Sequence, residues 1–152
     1  MKDIARELTE TVIRHYDKNC NLDDELASIS LGADKWSLKE IIGHLIDSAS
    51  NNHQRFVRLQ INKKLDFPDY HYSWIRIENF NSMKFTDLIS LWKYFNILLS
   101  HLIENTSEDI LTNIWETESK ELTLKAIMTD YLRHIKEHIK HFEERLAEIN
   151  SN

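Results

Sequence analysis

The segment Tyr131-Leu132-Arg133-His134-Ile135-Lys136-Glu137-His138-Ile139-Lys140-His141-Phe142 lies inside a run from Leu124 to Ile149 that holds neither Gly nor Pro. Apolar side chains recur at Leu124, Ile127, Met128, Tyr131, Ile135, Ile139, Phe142, Leu146 and Ile149, which is a helical period. Three histidines follow one stripe of this helix. Residues four apart stand about 6 Å from each other, so His134 and His138 can reach one metal ion. His138 and His141 form the alternative pair. All three cannot readily share an ion, because His134 and His141 are separated by roughly 10 Å of rise. A two-histidine pair needs a third ligand from elsewhere in the chain.

The chain has 152 residues, which predicts one domain spanning 1–152. Its net charge is −6 with histidine neutral, and it has no basic tract. That argues against a nucleic-acid partner, whose phosphates call for Lys and Arg. One cysteine, Cys20, excludes an intrachain disulfide and fits a reducing compartment. With no long apolar run and no signal-like N-terminus, a cytoplasmic protein without a membrane partner is expected. Two Gly and one Pro are too few for most strand-and-turn folds, so an all-α domain is expected.

Ile4, Leu8, Val12 and Tyr16 predict a first helix over residues 3–18, with His15 on its flank. His15 reads either as a further ligand or, the blander reading, as a partly covered helix-end histidine. A short turn is expected at 22–27, closed by Gly32. Ser37 and Glu40 have capping-box spacing, with Trp36 before them, and start a second helix that runs to about Ile61. His44 lies next to the apolar face of this helix, between Ile41 and Leu45, and is the candidate third ligand. His44, Ser48, Asn51, Asn52 and Arg55 follow one another at spacings of three and four. Such a line is either a solvated face or a ligand-bearing surface between helices. His53 reads as a surface residue.

Residues 62–79 form a long connection around Pro68, with Tyr70, Tyr72 and Trp74 either lining a pocket mouth or covering a bundle end. Arg76 is an anion contact by residue type only. Thr86 is the expected cap of a third helix bearing Leu88, Leu91, Trp92, Phe95, Leu98, Leu99 and Leu102. Residues 104–122 are polar, and Thr123 is the expected cap of the last helix. Four long amphipathic helices imply a four-helix bundle. Ferritin-like carboxylate chemistry is disfavoured, because it needs two Glu-x-x-His motifs that the chain lacks.

The words Lys35-Trp36-Ser37-Leu38-Lys39-Glu40-Ile41-Ile42-Gly43-His44-Leu45-Ile46-Asp47-Ser48-Ala49 and Asn51-Asn52-His53-Gln54-Arg55-Phe56 resemble the second-helix motif of the DinB-like superfamily, the YfiT-like metal-dependent hydrolases. Tyr131-Leu132-Arg133-His134 with His138 resembles its last-helix motif. The resemblance covers nearly the whole chain. It implies a bundle with a long crossover, often dimeric, and one divalent metal, zinc or nickel, on His44, His134 and His138. It also implies a pocket role for His141. Relatives include thiol-dependent transferases, so a low-molecular-weight thiol is a candidate cofactor. Three imidazoles leave coordination positions open for a water or a thiol. A small-molecule enzyme follows, with thiol transfer preferred to hydrolysis, and a non-catalytic metal-binding bundle is the alternative. Ser48, Asn52 and Arg55 would contact the thiol cofactor, although Arg55 is roughly 16 Å of rise from His44. Asp47, Asp130 and Glu137 lie near ligands in sequence and read first as surface carboxylates; the alternative is that Asp47 or Asp130 orients a ligand imidazole.

Overall fold

Ser37 starts the helix that carries His44, and it does so by a reciprocal cap. Its Oγ accepts from the Glu40 backbone N–H at 3.1 Å, while the Glu40 carboxylate accepts from the Ser37 N–H at 2.8 Å. This computed structural model describes residues 1–117 and 120–151. Its elements are α1 Lys2–Asn19, α2 Asp24–Ala27, α3 Leu38–Arg58, β1 Lys64–Asp66, α4 Trp74–Glu78, α5 Phe85–Glu104, β2 Ile114–Glu116, β3 Glu121–Thr123 and α6 Leu124–Asn150.

The side-chain contacts give the helix directions. Thr9 of α1 meets Ser100 of α5 at 2.6 Å, and Lys93 of α5 sits over the Tyr16 ring at 3.6 Å, so α1 and α5 are antiparallel. Glu7 meets Lys136 and Lys18 meets Glu143, so α1 and α6 are parallel. His44 faces His138 while Ser48 faces His134, so α3 and α6 are antiparallel. It follows that α3 and α5 run the same way, and the order is up-down-down-up. The chain leaving α3 must therefore travel back along the bundle before α5 can begin. Residues 59–84 are that crossover.

Between the four helices lies an apolar core that includes Leu8, Val12, Ile41, Leu45, Phe56, Leu88, Trp92, Leu99, Met128, Ile135 and Phe142. Lys39 is buried within this end of the bundle, with its ammonium 2.9 Å from Asp24. A buried ammonium needs such a partner. The other Asp24 oxygen accepts from the backbone N–H of Phe85 at 2.7 Å. One carboxylate thus pins α2, α3 and the first turn of α5.

Several local expectations differ from the structure. α5 starts at Phe85 after Lys84, so Thr86 lies inside the first turn and is not its cap. A carboxylate 61 residues away in sequence serves the Phe85 N–H instead, which no local pattern reveals. The short helix α2 closes at Ser28, and Gly32 pairs with Lys35 in an isolated bridge. The polar connections also form a small sheet of order β1-β2-β3, in which β1 is parallel to β2 and β2 antiparallel to β3. Each strand has three residues, too few for an alternating pattern to be read. Thr123 does cap α6, accepting from the Ala126 N–H at 3.2 Å.

Candidate metal centre

His44 stands about two turns into α3, on the face turned toward α6. His134 and His138 stand one turn apart on α6. Antiparallel packing brings the three rings together, with centroids 4.4 Å apart for His44–His138, 4.5 Å for His134–His138 and 5.4 Å for His44–His134. One ring nitrogen from each can be chosen so that all three lie within 4.8 Å of one another. The Nε2 atoms of His44 and His138 are 3.2 Å apart. Metal–nitrogen bonds of about 2.0–2.1 Å at a tetrahedral centre place ligand nitrogens about 3.4 Å from each other. The pair is therefore spaced as two ligands of one ion would be.

The protonation states suit a cation. Burial, helped by His138, His134 and His141, pushes the His44 pKa down to about 3. Burial and the neighbouring histidines push His138 down to about 4, and burial lowers His134. All three rings are neutral near pH 7 and offer lone pairs. Ser48 Oγ lies 3.4 Å from His134 Nδ1. If Nδ1 donates to it, the lone pair falls on Nε2. The Nδ1 atoms of His44 and His138 are buried and have no hydrogen-bond partner among the described residues, whereas metal-bound histidines usually anchor that second nitrogen.

The crossover forms the wall over this cluster. Tyr70 and Tyr72 each place a ring 5.5 Å from His44, and Trp36 lies beside Tyr72, 5.1 Å from the His44 ring. Burial raises the Tyr70 pKa, so its phenol stays protonated. The crossover is seated by Phe80, which lies against Gly43, the residue before His44; a Cβ there would stand 2.1 Å from the Phe80 ring.

A cavity of about 120 Å3 adjoins His134, and Ser48, Asn52, Arg55, Tyr70 and Trp115 also line it. It therefore runs from a candidate ligand to Arg55. The Arg55 guanidinium is buried, stacked 3.7 Å above the Trp115 ring and paired with Asp69 at 2.7 Å. Asn52 donates to the Ser48 carbonyl at 2.9 Å. A second cavity, of about 370 Å3, lies behind Trp36 and Tyr72, with Arg76 at its edge.

Other sequence candidates fall elsewhere. His15 is buried against Trp92 and Phe142 and bonded to Asn19, apart from the cluster. His53 is half-buried against Phe95. His141 is at the margin, 6.1 Å from the His138 ring and 6.3 Å from Trp36. Asp130 and Glu137 are surface carboxylates on Arg133. Asp47 is not at the surface: it is 5% exposed, and burial and Glu78 push its pKa up to about 7. Sequence reasoning also missed Asp69, Lys120 and Trp115, which the sheet brings to Arg55 from two separate connections.

Among solved structures, the chain is similar to YfiT from Bacillus subtilis, described as a probable metal-dependent hydrolase with an unusual four-helix bundle topology. The TM-score is 0.86 at 16% sequence identity, over 98% of this chain and 87% of that one. The fold is YfiT-like. No family model and no curated protein matches the sequence. In this chain the four helices run up-down-down-up, with the crossover joining the parallel neighbours α3 and α5.

Proposed function

We infer that His44, His134 and His138 hold one divalent ion, zinc or nickel, and that the protein is a metal-dependent enzyme acting on a small molecule. The observation that carries this is three neutral imidazoles with ligand atoms within 4.8 Å of one another. An ion there would supply Lewis acidity, lowering the pKa of a water or a thiol in an open position. The chain's own groups do the rest. Ser48 orients His134. The Tyr70 and Tyr72 rings and Trp36 keep bulk water off His44. The Tyr70 phenol remains a proton donor on this wall.

The finer reading is thiol transfer. The cavity beside His134 is polar along Ser48, Asn52 and Arg55 and is suited to the remainder of a low-molecular-weight thiol. Simple hydrolysis is the second reading, favoured by the likeness to YfiT. Metal per chain, measured on untagged protein and on a variant with all three histidines changed to Ala, tests the site; equal metal in both removes it. Cobalt-substituted protein titrated with a small thiol then separates the reactions. A sulfur-to-cobalt charge-transfer band supports thiol transfer, and its absence leaves hydrolysis.

We place the protein as a homodimer in the cytoplasm. Leu91, Tyr94 and Leu98 form an exposed apolar line on α5 that a second copy would cover. Among the described residues no helix is long and apolar enough to cross a membrane. Sedimentation at micromolar concentration tests the dimer, and a monomer throughout removes it.

A further inference from the structure

The cavity beside His134 carries two cationic side chains that the histidine centre does not use. Arg55 of α3 and Lys120, just before β3, both lie against the Trp115 ring, at 3.7 and 4.7 Å. One carboxylate, Asp69 of the crossover, serves both, at 2.7 Å from Arg55 and 3.5 Å from Lys120. Asp130 also borders the cavity, but it is tied to Arg133 at 2.7 Å. Among the described residues, two cations thus share one carboxylate on the inner wall of a half-open cavity, while Asp130 on its rim shares Arg133 with Glu137.

Arg55 is also short of acceptors. A guanidinium has five N–H donors. Apart from the bond to Asp69, its contacts with Asn52 Oδ1 and the Pro68 carbonyl are long, at 3.4 and 3.5 Å. Turning the Asn51 amide adds one acceptor at 3.1 Å. Its Nε is buried, with no hydrogen-bond partner among the described residues. Stacking on Trp115 fixes the plane of the fork, so its unused donors are preorganised.

We propose that this cavity is a subsite for a single carboxylate of the substrate or thiol cofactor, bound by Arg55 and Lys120 against Trp115 while the rest of the molecule extends toward His134. With Asp69 already shared by the two cations and Asp130 on the rim, a monoanion is favoured; a phosphate monoester is close to a dianion near neutral pH. The volume is the share of about four waters, which suits a carboxylate with one or two carbons rather than a bulky group. The reaction named for the ligand rests on the metal reading, but its binding does not.

Trifluoroacetate, a monoanionic carboxylate, is a suitable probe, followed by fluorine NMR on the full chain, chelator-treated and zinc-loaded. The expected result is saturable line broadening in both forms, reversed by acetate. Lys120→Gln, at a half-exposed position that leaves the core intact, weakens binding by about fivefold. Arg55→Gln weakens it further where that variant folds, and Lys140→Gln on the far surface leaves it unchanged. Identical titrations for the parent and Lys120→Gln overturn the subsite. So does displacement by inorganic phosphate at lower concentration than by acetate, which would reassign the ligand class. Broadening that needs zinc and disappears in His138→Ala puts the anion on the ion; that removes the subsite and leaves the metal centre standing. Saturable binding by a protein that takes up no metal does the reverse.

Discussion

The Nε2 atoms of His44 and His138 lie 3.2 Å apart, although the residues are 94 positions apart in sequence. Two neutral imidazoles at that distance can share one proton or hold one cation. A cation would also engage His134, so it is the better use of the geometry. Adding zinc or nickel to metal-free protein is expected to raise the melting temperature. Binding to the folded state alone contributes about 2.7 kcal/mol at one hundred times Kd. His138→Ala should abolish most of that shift, and an undiminished shift in this variant would locate the ion elsewhere. Because the Nδ1 atoms of His44 and His138 lack partners, a chelator such as EDTA should strip the ion readily. Retention through prolonged dialysis against EDTA would show a second nitrogen anchored by water.

Acid should unfold the metal-free protein early. The folded pKa values of His44, at about 3, and of His138 and His15, at about 4, lie below the ordinary histidine value near 6.5. The unfolded chain therefore takes up protons first as pH falls. The stability these neutral rings confer is fully present above about 6.5 and is lost as pH drops toward 4 for His138 and His15 and toward 3 for His44. Urea midpoints should decline across that window. His15→Phe should flatten part of the decline, since the ring already packs edge-on to Trp92 and Phe142 and its Nε2 has no partner. A decline of unchanged steepness would mean that His15 is solvated.

Asp47 should act in the opposite sense. Its folded pKa, at about 7, is above the ordinary value, so the folded state keeps a proton that the unfolded chain has lost. Stability then falls as pH rises from about 4 to 7 and stays reduced above that. Asp47→Asn should stabilise the protein at pH 8 by roughly 1–3 kcal/mol, the scale of an ill-satisfied buried polar group, and by almost nothing near pH 4. Urea unfolding at the two pH values checks this; equal offsets would show an ordinary carboxylate.

Gly43→Ala would ordinarily gain about 1 kcal/mol inside a helix. Here the new Cβ meets the buried Phe80 ring at 2.1 Å, so the sign should reverse. The melting temperature should fall, and proteolysis within residues 59–84 should quicken as the crossover lifts from α3. A variant more stable than the parent would show that the ring yields without loosening the wall over His44.

The Ser37–Glu40 cap, the Thr123 cap, the four amphipathic stripes and the His134–His138 spacing are local features. Their physics acts between residues a few positions apart, so the sequence by itself determined the four helices, the all-α class and the pair on α6. His44 was legible because a histidine interrupts an apolar stripe. The partners of Arg55 were not. Asp69, Trp115 and Lys120 lie on connections with no periodicity, and they meet only because β1 pairs with β2 after the crossover turns back. Asp47 illustrates the same limit. A carboxylate three residues after a candidate ligand reads as solvated until α4 is laid across α3, and only that packing removes its water and shifts its proton. Burial and long-range pairing are properties of elements brought together, and the tertiary structure alone decided them.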